Sequence, residues 1–373
     1  MLRPTTATRQ FVRALIPRLH LRHSSSNSAA AIAASFLSRF QSLGPQTRIQ
    51  TLDSNQLRLL SLTLNRPSLF PTFPSLSSTT GPAANHADEI AHGTPVPPGY
   101  HLVYFTPAFL ESELGADGTD TSYNPSHPFT RRMWAGGEVV WPRNAEGLPN
   151  PLRVGEKVTE TTRVLSAEPK VVRKTGEEMI VVGVEKEFRN EGGVSVVDKR
   201  NWVFRKALPP PTATTSAASN LPPPSPPSPN PATCITSSSG KTHTRTLRQT
   251  AVTLFRFSAL TFNPHKIHYS LPWARDVEGH RDIVVHGPLN LISILDLWRD
   301  SRTADPTKGG QSVDEAGLNA LFPQRISYRA TSPLYAEDEY RIVLEDLEGG
   351  GKSDVQILTP EGKLGMKAEI IGV

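Results

Sequence analysis

The 373-residue chain is 37% hydrophobic and carries 34 prolines and one cysteine, Cys234, which makes the folded part smaller than the whole and excludes an intrachain disulfide or a cysteine-based metal site. Its formal charge of +5 sits at the start: Arg3, Arg9, Arg13, Arg18 and Arg22 all precede the first acid, Asp53, and removing those five from 40 Lys+Arg leaves 35 against 35 Asp+Glu. The pI near 9.3 therefore belongs to the leader and does not indicate nucleic-acid binding, and no apolar run approaches the ~18 residues of a membrane-spanning helix.

Residues 1–30 are rich in Arg, Ser and Ala, with Phe11, Val12, Leu15 and Ile16 between the arginines. That is the pattern of a mitochondrial transit peptide; the plain alternative is a basic tail. Residues 31–97 read as a helical arm and loop. Phe36, Leu37, Phe40 and Leu43, then Leu57, Leu59, Leu60 and Leu62, lie either side of a break at Gly44-Pro45, and Pro67, Pro71 and Pro74 end the pattern. Residues 98–207 form a strand-rich unit, with its clearest strands at Lys157–Leu165, Met179–Arg189 and Gly193–Phe204 and a hairpin turn at Asn190-Glu191-Gly192-Gly193. Residues 208–248, dominated by Pro, Ser and Thr, lack the large apolar groups needed to offset the entropy of ordering and read as a disordered linker.

Residues 249–373 open with a strand-like run, Thr250–Phe257, followed by a Pro-containing loop. A helix then starts at Pro288, where the missing N–H costs nothing, and sets Leu289, Ile292, Leu295 and Trp298 on one apolar face. The strands Arg325–Ala330, Tyr340–Leu347, Asp354–Leu358 and Met366–Ile371 complete an α+β unit in which a sheet wraps a helix.

The chemistry concentrates in Phe262-Asn263-Pro264-His265-Lys266-Ile267-His268-Tyr269-Ser270 and, eighteen positions after His268, in His286-Gly287 at the helix start. Removing water from a 3-hydroxyacyl thioester needs a base for the α-proton, a donor for the departing hydroxyl and a group that holds the carbonyl as it gains enolate character. Histidine suits the first because its ordinary pKa lies near neutrality, so His268 is the expected base. The free N–H of Gly287 at a helix N-terminus suits the third. Asn263 reads either as a holder of the hydroxyl or a water, or as a turn cap. His265 and His268 alone, three positions apart, are no metal site.

These segments resemble the MaoC-like (R)-specific hydratases and dehydratases. That signature runs small residue, Gly, Asp, any, Asn, Pro, aliphatic, His, with a later aliphatic-His-Gly helix start. Thr261 stands at the small position, Phe262 at the Gly, Asn263 at the catalytic Asp, Ile267-His268 at the aliphatic-His pair and Val285-His286-Gly287 at the helix start. The departures fall at Asn263, which cannot be a charged base and leaves proton transfer to His268, and at His265-Lys266, which replace the loop-shaping Asn-Pro. ALTFNPHKIHY and VVHGPL are similar to the fungal mitochondrial hydroxyacyl-thioester dehydratases of type 2 and to the mesaconyl- and itaconyl-CoA hydratases. RRMWAGG from Arg131 and PLRVGE from Pro151 resemble their N-terminal non-catalytic unit.

Over residues 98–373 the resemblance implies an α+β double hot-dog, two units in one chain that each wrap an antiparallel sheet on a helix. It implies a hydro-lyase that needs no metal or redox cofactor, with His268, Asn263 and Gly287 catalytic. His265, Tyr269, His286, Arg131 and Arg132 are then the expected substrate contacts; His286 would also shape the turn, and the arginines read either as solvated charges or as partners for a carrier-arm phosphate. The expected activity is dehydration of (R)-3-hydroxyacyl-acyl carrier protein in mitochondrial fatty-acid synthesis, in the matrix. The alternatives are a mesaconyl- or itaconyl-CoA-type hydratase, which needs a cation near the free carboxylate, and a non-catalytic acyl-thioester-binding protein. The partner is an acyl carrier protein or CoA thioester, not nucleic acid, and the chain is a pseudo-dimeric monomer or a homodimer.

Overall fold

The computed structural model describes residues 28–70, 76, 90–173, 175–208, 221–227, 234–302 and 315–372. Most of the predicted leader and the stretches 209–220 and 228–233 of the predicted linker lie outside the described residues. The leader's last residues do not. Ser28 caps α1 (Ala29–Leu43), its Oγ accepting the Ala31 N–H at 3.2 Å. After Gly44 the chain forms β1 (Gln46–Thr51) and then α2 (Ser54–Thr63), capped by Asp53, whose Oδ1 accepts the Gln56 N–H at 2.8 Å. The strand was not foreseen, because QTRIQT is an exposed edge strand with no hydrophobic alternation.

The remaining strands are β2 (Arg131–Val140), β3 (Lys157–Val171), β4 (Glu178–Asn190), β5 (Gly193–Arg205), β6 (Cys234–Ser239), β7 (Thr242–Arg248), β8 (Arg325–Ala330), β9 (Glu339–Asp346), β10 (Lys352–Leu358) and β11 (Leu364–Ile371). With β1 they make one antiparallel eleven-stranded sheet in the order β1-β3-β4-β5-β2-β8-β11-β10-β9-β7-β6. The halves belong to the two sequence units and join where β2 pairs with β8, Val139 opposite Ile326. This is the double hot-dog.

Two local expectations are corrected. Residues 234–248, assigned to the linker by composition, are the β6–β7 hairpin, which pairs with β9 and ends the sheet with an exposed Cys234. A polar edge strand gains its stability from the ladder, so a Ser/Thr-rich composition does not reveal it. The strand-like run from Thr250 is a helix, α3 (Ala251–Thr261). Thr250 caps it by accepting the Thr253 N–H at 3.3 Å, and Leu254, Phe257 and Ser258 form its buried stripe. Tertiary packing overrides the β preference of its Val, Thr and Phe.

The core is built on α4 (Gly287–Arg302). Leu291, Ile294 and Leu297 are as fully buried as Leu289, Ile292 and Leu295, so the helix is enclosed on all sides and not on one face only. Ile326, Ile342, Leu344, Val355, Ile357 and Ile370 pack on it from its own half-sheet, Leu52, Leu57 and Leu60 from the N-terminal arm, and Tyr100 from the start of the first unit. The first half-sheet has a different arrangement. Its helix is α1, whose Ile32, Phe36 and Phe40 pack with Ile180, Val182 and Phe204 at one end, while Val158, Phe188 and Val196 join the main core at the other. Between these apolar zones the same face carries Thr162, Lys186 and Asp198 in one cross-strand row. This polar band faces the site.

Candidate active site

α3 ends at Phe262, whose left-handed backbone (φ 48°) turns the chain away from the helix. Asn263 N–H donates to Ser258 O at 2.9 Å, and Asn263 Oδ1 accepts the His265 N–H at 3.3 Å, so its carboxamide oxygen is used to shape the turn. A loop of the first unit braces this segment. Lys266 donates from its backbone N–H to Asp117 O at 2.8 Å and from Nζ to Ala116 O at 2.7 Å. Gly118, at φ +84°, lies so close that a Cβ there would sit 2.2 Å from Pro264 O.

His268 sits in a single 3₁₀ turn, Lys266–His268. Its Nδ1 is 2.7 Å from Val284 O, an oxygen that can only accept. Nδ1 therefore carries the proton and Nε2 keeps its lone pair. Burial, with His265 nearby, pushes the His268 pKa down to about 3, so the ring stays neutral. The Val284 backbone is itself tied to the loop, Val284 N–H to Ile267 O at 2.8 Å, which fixes the ring to the segment leading into α4.

Gly287 begins α4, and its N–H has no acceptor among the described residues. Trp134 of β2 lies against it: a Cβ at position 287 would be 3.0 Å from the indole Cγ and Cδ1. The Asn263–His268 loop, the helix start and Trp134 thus converge on one cavity of about 860 Å³ between the units. Of the sequence-predicted residues, Asn263, His265, His268 and Gly287 line it from the second unit and Arg131 and Arg132 from the first.

Two expected substrate contacts are corrected. His286 is sealed beneath the site at 1% exposure, its Nε2 2.9 Å from Ser258 Oγ and its ring stacked on His268 at 3.6 Å. Tyr269 is absent from the cavity wall and 47% exposed, since the turn that buries His268 points its successor outward.

Several groups at the cavity were missed. Glu278 lies 3.7 Å from His265 Nε2 through Oε1 and 3.9 Å from an Arg131 nitrogen through Oε2. Burial opposes its charge, but His265, the Trp273 indole N–H and Arg131 outweigh that and hold Glu278 below the usual carboxylate range. His280 lines the same wall, its pKa lowered mainly by burial. Farther in, Arg200 lies over the Trp134 ring, 5.1 Å from its centroid, and pairs with Asp198 at 2.6 Å. Lys186 meets Glu160 at 3.0 Å, and Arg48 reaches the same Glu160 oxygen at 2.8 Å. The available signal for Glu278 was its position between the two motif halves; nothing in sequence places Lys186 or Arg200 at this cavity. No group of three or more metal-ligating side chains with suitable geometry occurs among the described residues.

A family model for hydroxyacyl-thioester dehydratase type 2 matches residues 99–336. Mesaconyl-C(4)-CoA hydratase of Chloroflexus aurantiacus is 27% identical over 279 residues, 74% of this chain and 84% of that protein. The mitochondrial hydroxyacyl-thioester dehydratase type 2 of Schizosaccharomyces pombe is 24% identical over 68% of this chain and 79% of that protein. A solved MaoC-like dehydratase from Phytophthora capsici superposes with a TM-score of 0.52 at 13% identity, covering 88% of this chain and 95% of that one, a likeness of fold.

Proposed function

This chain belongs to the hydroxyacyl-thioester dehydratase type 2 family and is a hydro-lyase, and on that premise we propose that it dehydrates (R)-3-hydroxyacyl thioesters to trans-2-enoyl thioesters on acyl carrier protein, in mitochondrial fatty-acid synthesis. The observation that carries the reading is the pairing, at one cavity, of an unprotonated His268 Nε2 with the unpartnered Gly287 N–H. His268 takes the α-proton. The Gly287 N–H and the positive end of α4 hold the thioester oxygen as negative charge develops there. The Asn263 amide NH₂ remains to hold the 3-hydroxyl, since its oxygen is engaged in the turn. Cations outnumber carboxylates around the cavity, which suits the phosphate of a carrier arm. Matrix location is supported by the acid-free leader and by the mitochondrial designation of the fission-yeast relative. One chain already supplies the paired hot-dog units, so a monomer suffices.

A specific observation favours a second reading, a hydratase for a dicarboxyl-CoA. On the inner face of the first half-sheet Lys186 and Arg200 are largely buried beside Glu160 and Asp198, the more exposed Arg48 adds a third cation at Glu160, and burial pushes the Lys186 pKa down to about 8. Burial disfavours the Lys186 charge, and a substrate carboxylate nearby would stabilise it.

The test is turnover of 3-hydroxybutyryl, 3-hydroxydecanoyl and mesaconyl thioesters by the protein without its leader, beside His268→Ala. The expected loss in the variant is about 100-fold or more. Preference for mesaconyl-CoA would select the second reading, and absence of turnover on all three would sink both in favour of acyl binding alone.

A further inference from the structure

The site holds a proton-transfer group that the family signature does not supply. With Asn263 at the usual carboxylate position, its amide cannot protonate the departing hydroxyl, and the one free nitrogen of His268 is already given to the α-proton. Its side chain 8% exposed, His265 lines the cavity with Nε2 buried and without a hydrogen-bond partner. That nitrogen lies 3.7 Å from Glu278 Oε1 and 3.8 Å from Asp117 Oδ2, too far for a hydrogen bond to either.

Both carboxylates are anchored by other donors. Glu278 Oε1 accepts the Trp273 indole N–H at 3.1 Å, and Asp117 Oδ1 accepts from Thr119 N at 3.0 Å and Oγ1 at 2.7 Å. They supply negative charge around an imidazole whose Nε2 is left for a third participant. The His265 and His268 rings meet edge to face, centroids 5.4 Å apart. Two imidazoles so placed suit the two adjacent carbons of the substrate, one bearing the proton and the other the hydroxyl.

We propose that His265 is the catalytic acid of dehydration, giving its Nε2 proton to the leaving hydroxyl, and that Glu278 is its positioning residue. The inference rests on the hydro-lyase reading. The Cα–H bond breaks with its proton passing to His268 Nε2, and its electron pair forms the new C=C bond. The Cβ–O bond breaks with its pair on oxygen, which takes the His265 proton and departs as water. His268 then loses its proton to solvent and His265 regains one. In hydration the steps reverse, and His265 takes a proton from the attacking water. Glu278 and Asp117 set anchored negative charge beside the ring and hold it in place for the transfer.

The test replaces the leaving group. Chloride leaves without a proton, so elimination from a 3-chlorobutyryl thioester needs His268 but not an acid, whereas 3-hydroxybutyryl needs both. In His265→Gln, kcat/KM on the hydroxy substrate is expected to fall about 100-fold or more while the chloro substrate changes by no more than about threefold. Glu278→Gln shifts the same ratio in the same direction by about tenfold, and His268→Ala loses both substrates. Activity on the chloro substrate also reports that His265→Gln and Glu278→Gln are folded, and the urea-denaturation midpoint reports it for His268→Ala. Equal losses on the two substrates in His265→Gln, or no loss, overturn the proposal. A wild-type protein that eliminates chloride but not water refutes the acid while sparing His268, and one that eliminates neither overturns the hydro-lyase reading and this proposal together.

Discussion

The stacked histidines beneath the site make stability depend on pH in a way that can be isolated. His268 and His286 are both buried, and burial lowers both pKa values from 6.5, that of His268 to about 3 and that of His286 well below the usual range. The sign follows from linkage. As pH falls below 6.5 the unfolded chain binds protons at these positions and the folded chain does not, so stability is full above the unfolded pKa and is lost on acidification. Between about pH 8 and pH 5 each neutral buried histidine costs about 2 kcal/mol, about 4 kcal/mol for the pair. In His286→Gln one of the two contributions disappears, and the difference in unfolding free energy between those pH values should shrink by about 2 kcal/mol whatever the variant's absolute stability. Urea denaturation of both proteins at the two pH values measures it, and all other titrating groups cancel in the comparison. An identical pH dependence in wild type and variant would refute the reasoning, because His286 would then have to take up its proton in the folded state.

Three further substitutions probe the surrounding frame. Gly287→Ala places a Cβ 3.0 Å from the Trp134 ring; one of the two must move, and kcat should fall by about tenfold or more in steady-state assay, with partial recovery when Trp134→Leu is added. Gly118→Ala puts a Cβ 2.2 Å from Pro264 O at a positive φ, so thermal denaturation should show a loss of more than about 1 kcal/mol, together with lowered turnover from a displaced Asn263–His265 turn. Asp300 bridges Arg66 and Arg245, each at 2.7 Å; Asp300→Ala leaves two largely buried guanidinium groups short of a counter-charge and should cost about 3 kcal/mol in urea denaturation.

Elements were legible where side chains face a core. The β-branched runs of β4 and β5 and the leucine spacing of α4 record burial directly. They were illegible where the backbone ladder does the stabilising. β1 and β6 are exposed along almost their whole length, and β7 turns inward only Arg245 and Leu247, so their polar residues satisfy an edge strand and a loop equally well. α3 was misread for the opposite reason, since Val252, Thr253 and Phe255 favour strands in isolation while its Thr250 cap and its buried Leu254–Phe257–Ser258 stripe commit it to helix.

The same division governs the site. Asn263, His265, His268 and Gly287 are joined by a short loop and one helix start, so their proximity is written in covalent order. Glu278 lies on the same connection, yet its importance depends on a side-chain approach to His265 that spacing does not encode. The first unit's share depends on register. Lys186 faces the interior because β4 pairs with β3 and β5 so that Thr162, Lys186 and Asp198 fall in one row, and Arg200 stands one row nearer Trp134. A one-residue slip would send all of them to the opposite face. Trp134 against Gly287, and the 116–118 loop against Pro264 and Lys266, then carry the first unit directly onto the Asn263–His268 loop and the start of α4. The unit that contributes no motif histidine therefore sets one wall of the cavity, the carboxylate at Asp117 and the cations farther in. The motif residues are written locally in the second unit, and the rest of the cavity wall is made by side chains that only the assembled sheet brings into place.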